Sequence, residues 1–259
     1  MGLLRTWLGT EAWQRFTRDH RGTQPFAMQG VGNESSKQCD WDHLGHTLAA
    51  HAPDVLVVRR GEDLAIAPPR SLADLQKLLG RDTGIALRNA ELVSERVRAI
   101  CAAIAEDVPG RSRATVFATP ENTHSLGWHF DTEELFIVQL AGWKTHHLRA
   151  NTVVPPPATP TGHNLAAYPL ETSPLRTIDL HPGDFLYVPS GWWHMARARH
   201  TSLSLSIGVL GAPIAATTPL VSGKRAALRD RIRNVRARLS KVRAGAAAWS
   251  TIGFKTQRR

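Results

Sequence analysis

The sequence predicts a mainly β protein in which N-terminal helices precede an antiparallel sandwich or barrel, with a basic helix at the C-terminus. Three observations carry this. After Gly110, short runs rich in Val, Phe, Ile, Leu and Trp recur between turn residues, the pattern of closed antiparallel architectures. Before Gly110, apolar residues fall mostly at helical spacing between capping residues. From residue 221 onward, 12 Lys/Arg face one acid, Asp230, around an apolar seam. At 259 residues the chain is long enough for one domain with a sizeable core plus an appendage, here 1–220 and 221–259. Its 42% hydrophobic and 21% charged residues place it with globular chains rather than disordered ones.

In chain order, Trp7, Leu8, Trp13 and Phe16 predict a first helix over 6–21, and "TQPFAMQG" an extended piece after a proline. "DVLVVRR" and "LAIAPP" read as short strands. "SLADLQKLLG" opens on a Ser cap and closes on Gly80; "NAELVSERVRAICAAIAEDVPG" reads as one further helix ending at Pro109-Gly110. The strand series follows: "ATVFATP", "LFIVQLAG", "KTHHLRA", "RTIDL", "DFLYVPS" and "TSLSLSIGV". In the last, Ser202, Ser204 and Ser206 alternate with Leu203, Leu205 and Ile207, so one face carries hydroxyls directed at water or at a polar cavity. Four prolines within 155–160 make "NTVVPPPATPTGHNLAAYP" a loop, either a surface connection or a lid.

Several functional classes fall away. Cys39 and Cys101 lie far apart, which leaves neither a disulfide framework nor a thiolate metal cluster and suits a reducing cytoplasm. The first residues lack the apolar core of a signal peptide, and no stretch approaches a membrane span. The net charge of +10 resides in the tail: 221–259 carries +11 and the remainder sums to −1. Arguments about anionic partners therefore rest on the tail alone.

"GWHFD" places His129 and Asp131 one residue apart, so on a strand both side chains point to one face. His194, after the turn-rich "PSGWW", can supply a third ligand. Two histidines and a carboxylate make the facial triad of non-haem Fe(II) oxygenases, which leaves positions open for substrate and O₂. Lys144, in "LAGWKTHHL", is placed to bind the far carboxylate of a 2-oxoglutarate co-substrate, with hydroxyls completing the contacts. Each feature has an ordinary reading by itself: an H-x-D triplet arises by chance, and Lys144 alone reads as a solvated strand lysine. His146 and His147 point to opposite faces of a strand and are read as bystanders; His181 and Asp184 are read as turn residues, and His124 as a loop histidine or a substrate contact. Trp128, Trp143, Trp192 and Trp193 are read as packing around the ligands.

Together, "QPFAMQG", "TPENTHSLGWHFDTEELFIVQLAGWKTHHL", "HPGDFLYVPSGWWHMA" and "TSLSLSIGV" make residues 16–208 resemble the JmjC-type, cupin-like 2-oxoglutarate oxygenases, in particular the ribosomal-oxygenase-like branch. The resemblance implies a double-stranded β-helix (jelly roll) holding Fe(II) through His129, Asp131 and His194, with Lys144 on the 2-oxoglutarate carboxylate. Thr115, Ser204 and Ser206 are the remaining candidate co-substrate contacts. Thr115 and Phe117 stand where related sequences often carry Asn and Tyr, and Ser204 where Asn or His is common. The sequence stops soon after the barrel, too early for the winged-helix domain of ribosomal oxygenases, which weakens the expectation of a ribosomal-protein target in particular.

The expected activity is hydroxylation of an amino-acid side chain in a peptide or protein. The alternatives are hydroxylation of a free small molecule or a tRNA base, or a non-catalytic cupin-like module that binds nucleic acid. In the tail, Leu228, Ile232, Val235, Leu239 and Val242 form a heptad seam. That basic helix is expected to pack on the barrel, to form a homodimer, or to grip an acidic peptide or RNA.

Overall fold

The computed structural model describes residues 1–50, 53–150 and 173–211. The proline-rich loop and the basic tail, and with them the 220/221 boundary, lie outside the described residues.

Helix α1 (Leu3–Arg15), broken at Gly9 (φ +68°), buries Leu4, Leu8 and Ala12, and a π-helical turn, Phe16–His20, follows it and buries Phe16. Strand β1 (Phe26–Met28) follows Pro25 as expected. Two short helices that the sequence pattern did not reveal come next, α2 (Asn33–Gln38) and α3 (Trp41–Leu48), the latter capped by Asp40, whose carboxylate accepts the His43 N–H at 2.9 Å. Strand β2 (Asp54–Arg59) pairs with β3 (Glu62–Asp63) across a turn in which Arg60 and Gly61 have positive φ. The strand expected at "LAIAPP" is thus displaced to Glu62–Asp63; its prolines cannot donate to a ladder.

Helix α4 (Leu72–Leu79) has the expected cap, with the Ser71 hydroxyl accepting from Asp74 N–H at 3.1 Å, and it ends at Gly80. Strand β4 (Gly84–Arg88), hidden in "GIALR", precedes a segment read as one helix. That segment is two, α5 (Ala90–Val93) and α6 (Glu95–Ala105). Ser94 separates them in an extended conformation, its hydroxyl accepting the Val97 N–H at 3.2 Å: serine favours the cap over the helix interior. The strands then run β5 (Arg111–Thr119), β6 (Glu134–Ala141), β7 (Lys144–Arg149), β8 (Arg176–Leu180), β9 (Phe185–Val188), β10 (Trp193–Ala198) and β11 (Ser202–Leu210).

These strands form an eight-stranded sheet, β1-β9-β6-β11-β5-β4-β2-β3, and a three-stranded sheet, β10-β7-β8, with antiparallel pairing throughout. Alternation along the strands sorts the large sheet into two faces. Val116, Phe136, Val138, Leu203, Leu205 and Ile207 join the helices in the main core, which also holds Leu4, Leu48, Ile100 and Ile104. On the opposite face, Leu135, Ile137, Leu186 and Val188 pack against Leu148 and Leu180 of the small sheet. The order is therefore helices, large sheet, small sheet. Among the described residues every helix precedes β5, so the class is a mixed, strand-rich cupin-type fold rather than a mainly β one. No described helix is long and apolar enough to cross a membrane.

Candidate metal centre

A cavity of about 400 Å³ opens between the two sheets. Strand alternation selects its lining: Thr115 and Phe117 from β5, Ser204 and Ser206 from β11, Lys144 and His146 from β7. The serine face of β11 therefore looks into a polar cavity and not into bulk water, while Leu203 and Leu205 turn to the helices.

His129, Asp131 and His194 meet in this cavity, with one ligand atom of each within 4.8 Å of the others. His129 is not on a continuous strand. It forms an isolated antiparallel bridge with His194, their backbones exchanging hydrogen bonds (His194 N–H to His129 O, 2.7 Å; His129 N–H to His194 O, 3.1 Å). Directly opposed residues point to the same side, and the two imidazole centroids are 4.2 Å apart. The intervening residues turn the other way: Phe130 meets Trp193 edge-on at 5.1 Å, with Trp128 against the pair. This apolar plug anchors both ligand-bearing segments from behind. Asp131 is held by its backbone, its carbonyl accepting the Gly191 N–H at 2.8 Å from the turn before β10. Gly191 has φ +77°, a conformation that glycine adopts without strain.

Both histidines keep the same nitrogen engaged away from the centre. His129 Nδ1 lies 2.7 Å from the Gly127 carbonyl oxygen, and His194 Nδ1 lies 3.0 Å from that of Trp192. A proton donated there leaves each Nε2 with its lone pair toward Asp131, whose Oδ2 is 3.8 Å from His129 Nε2 and 3.3 Å from His194 Nε2. Burial opposes a charge on His194, but the Asp131 carboxylate and the Trp192 carbonyl outweigh it and raise the His194 pKa. Two lone-pair nitrogens and a carboxylate, with the second nitrogen of each ring already tied, suit a divalent cation that takes mixed N and O ligands.

Lys144 is 3% exposed, and its Nζ donates to Ser204 Oγ at 2.8 Å. Desolvation pushes its pKa down from 10.5 to about 7. It therefore does not behave as the solvated strand lysine of the ordinary reading. Phe117 lies beneath its ammonium, 5.7 Å to the ring centroid. Thr115, opposite Ser206 in the β5–β11 ladder, brings a further hydroxyl to the same wall.

Two readings from sequence change here. His146, taken with His147 as a bystander, lines the cavity and is buried, whereas His147 faces away as expected. Strand parity alone carried the signal, because His146 shares the parity of Lys144 on β7. Trp143 stacks on His181 at 5.1 Å and does not pack around the ligands. His124 pairs with Arg197 in an isolated bridge and does not line the cavity. Asp184 is the turn residue expected, its carboxylate accepting from His181 N–H and Gly30 N–H. Unforeseen in the sequence, Asp54, Arg88, Arg113 and Glu133 add charged side chains to the cavity lining, together with the polar Asn89.

A JmjC domain model matches residues 89–217, a span that contains the whole triad and Lys144. The chain is a JmjC-domain protein. It is 31% identical over 206 residues, 74% of its length, to the bifunctional lysine-specific demethylase and histidyl-hydroxylase NO66 of Drosophila persimilis, of which it covers 29%. It is 30% identical over 109 residues to human ribosomal oxygenase 1, a match that takes in 41% of this chain and 16% of that protein. The JmjC-domain chain thus spans less than a third of the length of these curated relatives. Its fold matches that of YcfD, a ribosomal oxygenase from Escherichia coli solved with cobalt and 2-oxoglutarate, with a TM-score of 0.58 over 95% of this chain and 61% of that one at 17% identity. This JmjC-domain protein stands in the ribosomal-oxygenase-like branch as a relative of NO66 and ribosomal oxygenase 1.

Proposed function

We propose that this JmjC-domain protein is an Fe(II)- and 2-oxoglutarate-dependent hydroxylase acting on an amino-acid side chain of a peptide or protein. The observation that carries the reading is one cavity holding both the His129–Asp131–His194 cluster and a buried, desolvated Lys144. His129 Nε2, His194 Nε2 and the Asp131 carboxylate would hold the metal on one side and leave its other positions to co-substrate and O₂. The Lys144 ammonium, oriented by Ser204, would pair with the distal carboxylate, with the Thr115 and Ser206 hydroxyls on the same wall. With metal and 2-oxoglutarate bound, O₂ would be the oxidant, one of its atoms going to succinate as the keto acid loses CO₂ and the other to a substrate C–H bond. The surrounding side chains orient the reactants and exclude water.

The substrate class rests on the relatives, which include a histidyl-hydroxylase and ribosomal oxygenases, and on the cavity lining, where Arg113, Glu133 and the Asp54–Arg88 ion pair offer both charges to a polar segment. A cytoplasmic setting accords with two buried free thiols, Cys39 and Cys101. The basic tail would serve dimerisation or an anionic partner.

The test is succinate formation by purified protein with Fe(II), 2-oxoglutarate and candidate peptides, alongside mass spectrometry for a gain of one oxygen. His129→Ala should abolish iron-dependent succinate release. Unchanged turnover in that variant removes the assignment.

A further inference from the structure

His146 has no role in the reading above, and its environment calls for one. It is 4% exposed, yet neither Nδ1 nor Nε2 has a hydrogen-bond partner. The other buried histidine among the described residues, His194, has Nδ1 on a backbone carbonyl and Nε2 toward Asp131. The partly buried His20 and His43 are likewise engaged, by the Pro25 carbonyl and the Ser94 hydroxyl. A buried polar group without a partner is destabilising, by an amount comparable to a lost hydrogen bond, and the few native exceptions call for a specific cause. His146 lines the cavity with both ring nitrogens covered in the ligand-free protein, so contact with a ligand there needs the ring to turn.

Register fixes where along the cavity this happens. In the β7–β10 ladder, His194 is opposite Leu148, Ala196 opposite His146, and Ala198 opposite Lys144. Leu148, His146 and Lys144 share one face of β7, so His146 occupies the row between the metal-ligand row and the lysine row. Ala196, small and on the same face, leaves room beside the ring. His146 also lies outside the cluster whose ligand atoms come within 4.8 Å of one another, so it is not a further ligand of that group.

We propose that His146 is a second polar anchor for the dicarboxylate co-substrate, its ring N–H donating to a carboxylate oxygen of 2-oxoglutarate between the metal and Lys144. This rests on the reading of the cavity as a metal and 2-oxoglutarate site. The residue is a co-substrate contact that takes no part in metal ligation. It supplies a donor from β7 that supplements the Thr115, Ser204 and Ser206 hydroxyls on the facing sheet.

The experiment is calorimetric titration of 2-oxoglutarate into the full-length, Mn(II)-loaded protein without O₂, comparing wild type with His146→Leu and His146→Asn. The Leu variant should bind about 10-fold more weakly, the loss of one hydrogen bond to a charged group, and Asn should recover part of that loss. Mn(II) affinity, read by electron paramagnetic resonance, should stay within about twofold, because ligand loss and not hydrogen-bond loss governs it. Equal 2-oxoglutarate affinity in wild type and Leu variant overturns the role of His146 alone. Wild-type protein that takes up Mn(II) but no 2-oxoglutarate overturns the reading of the cavity instead. Should the Leu variant not fold, the Zn(II)-loaded wild type decides: the His146 ring nitrogen resonances must move when 2-oxoglutarate is added, and unmoved resonances overturn the proposal.

Discussion

A lysine ammonium with one hydroxyl partner in a cavity wall is poorly solvated, and burial moves Lys144 down to about 7 from 10.5. Two pH dependences of opposite sign follow. Between about 7 and 10.5 the unfolded chain holds a proton that the ligand-free folded protein does not, so unfolding free energy rises with pH across that window. Below it the folded state carries the full desolvation cost. Pairing with a carboxylate needs the ammonium, so 2-oxoglutarate affinity should be flat below about pH 7 and fall up to tenfold per unit above it, with proton uptake on binding. Calorimetry in buffers of different ionisation enthalpy reads both effects. Lys144→Met should stabilise the ligand-free protein by about 1 kcal/mol, read as a raised urea midpoint, while weakening 2-oxoglutarate binding by 10-fold or more. A variant with lowered stability and unchanged affinity would make Lys144 a structural residue. The triad and this lysine were legible in the sequence because residue type and spacing define them. His146 was not, because its meaning lies in what fails to touch it, and sequence does not report an unpartnered nitrogen.

At the scale of elements, the β6–β7 turn sets where Lys144 enters the cavity. Gly142, two residues before it, has φ +67°, and an added Cβ would run into the Thr201 carbonyl. Gly142→Ala should therefore cost about 1–3 kcal/mol of stability and weaken 2-oxoglutarate binding, both measurable by denaturant titration with and without ligand. Wild-type values for both would show that the turn has no hold on the site. The elements read correctly from sequence are those with strong caps or strict alternation: α4 with Ser71 and Gly80, and β11 with its serines. Those missed are short, such as β4 and α2, or were set by tertiary context. Ser94 interrupts an apolar helical pattern because its hydroxyl serves both the Val97 N–H and His43 Nε2, and that second partner is distant in sequence. Likewise His129 and Asp131 gain their shared direction from a bridge to His194 rather than from a continuous strand.

For the whole molecule, a metal and co-substrate that bind only the folded state must stabilise it. At ligand concentrations near 100 times Kd the gain is about 2.7 kcal/mol, seen as a raised melting temperature that a chelator reverses. A midpoint that ignores both ligands would separate the cavity from the proposed chemistry. The sandwich was legible because its strands alternate, and the mixed class was not, since α2 and α3 are too short to show a clear helical period. The central claim is that His129, Asp131 and His194 hold a metal that 2-oxoglutarate then joins. Its most direct test is the visible absorption of the anaerobic full-length protein titrated with Fe(II) and then 2-oxoglutarate. A charge-transfer band that needs both additions, present in wild type and absent in His129→Ala, is the predicted result; no band in wild type, or the same band in the variant, would contradict it.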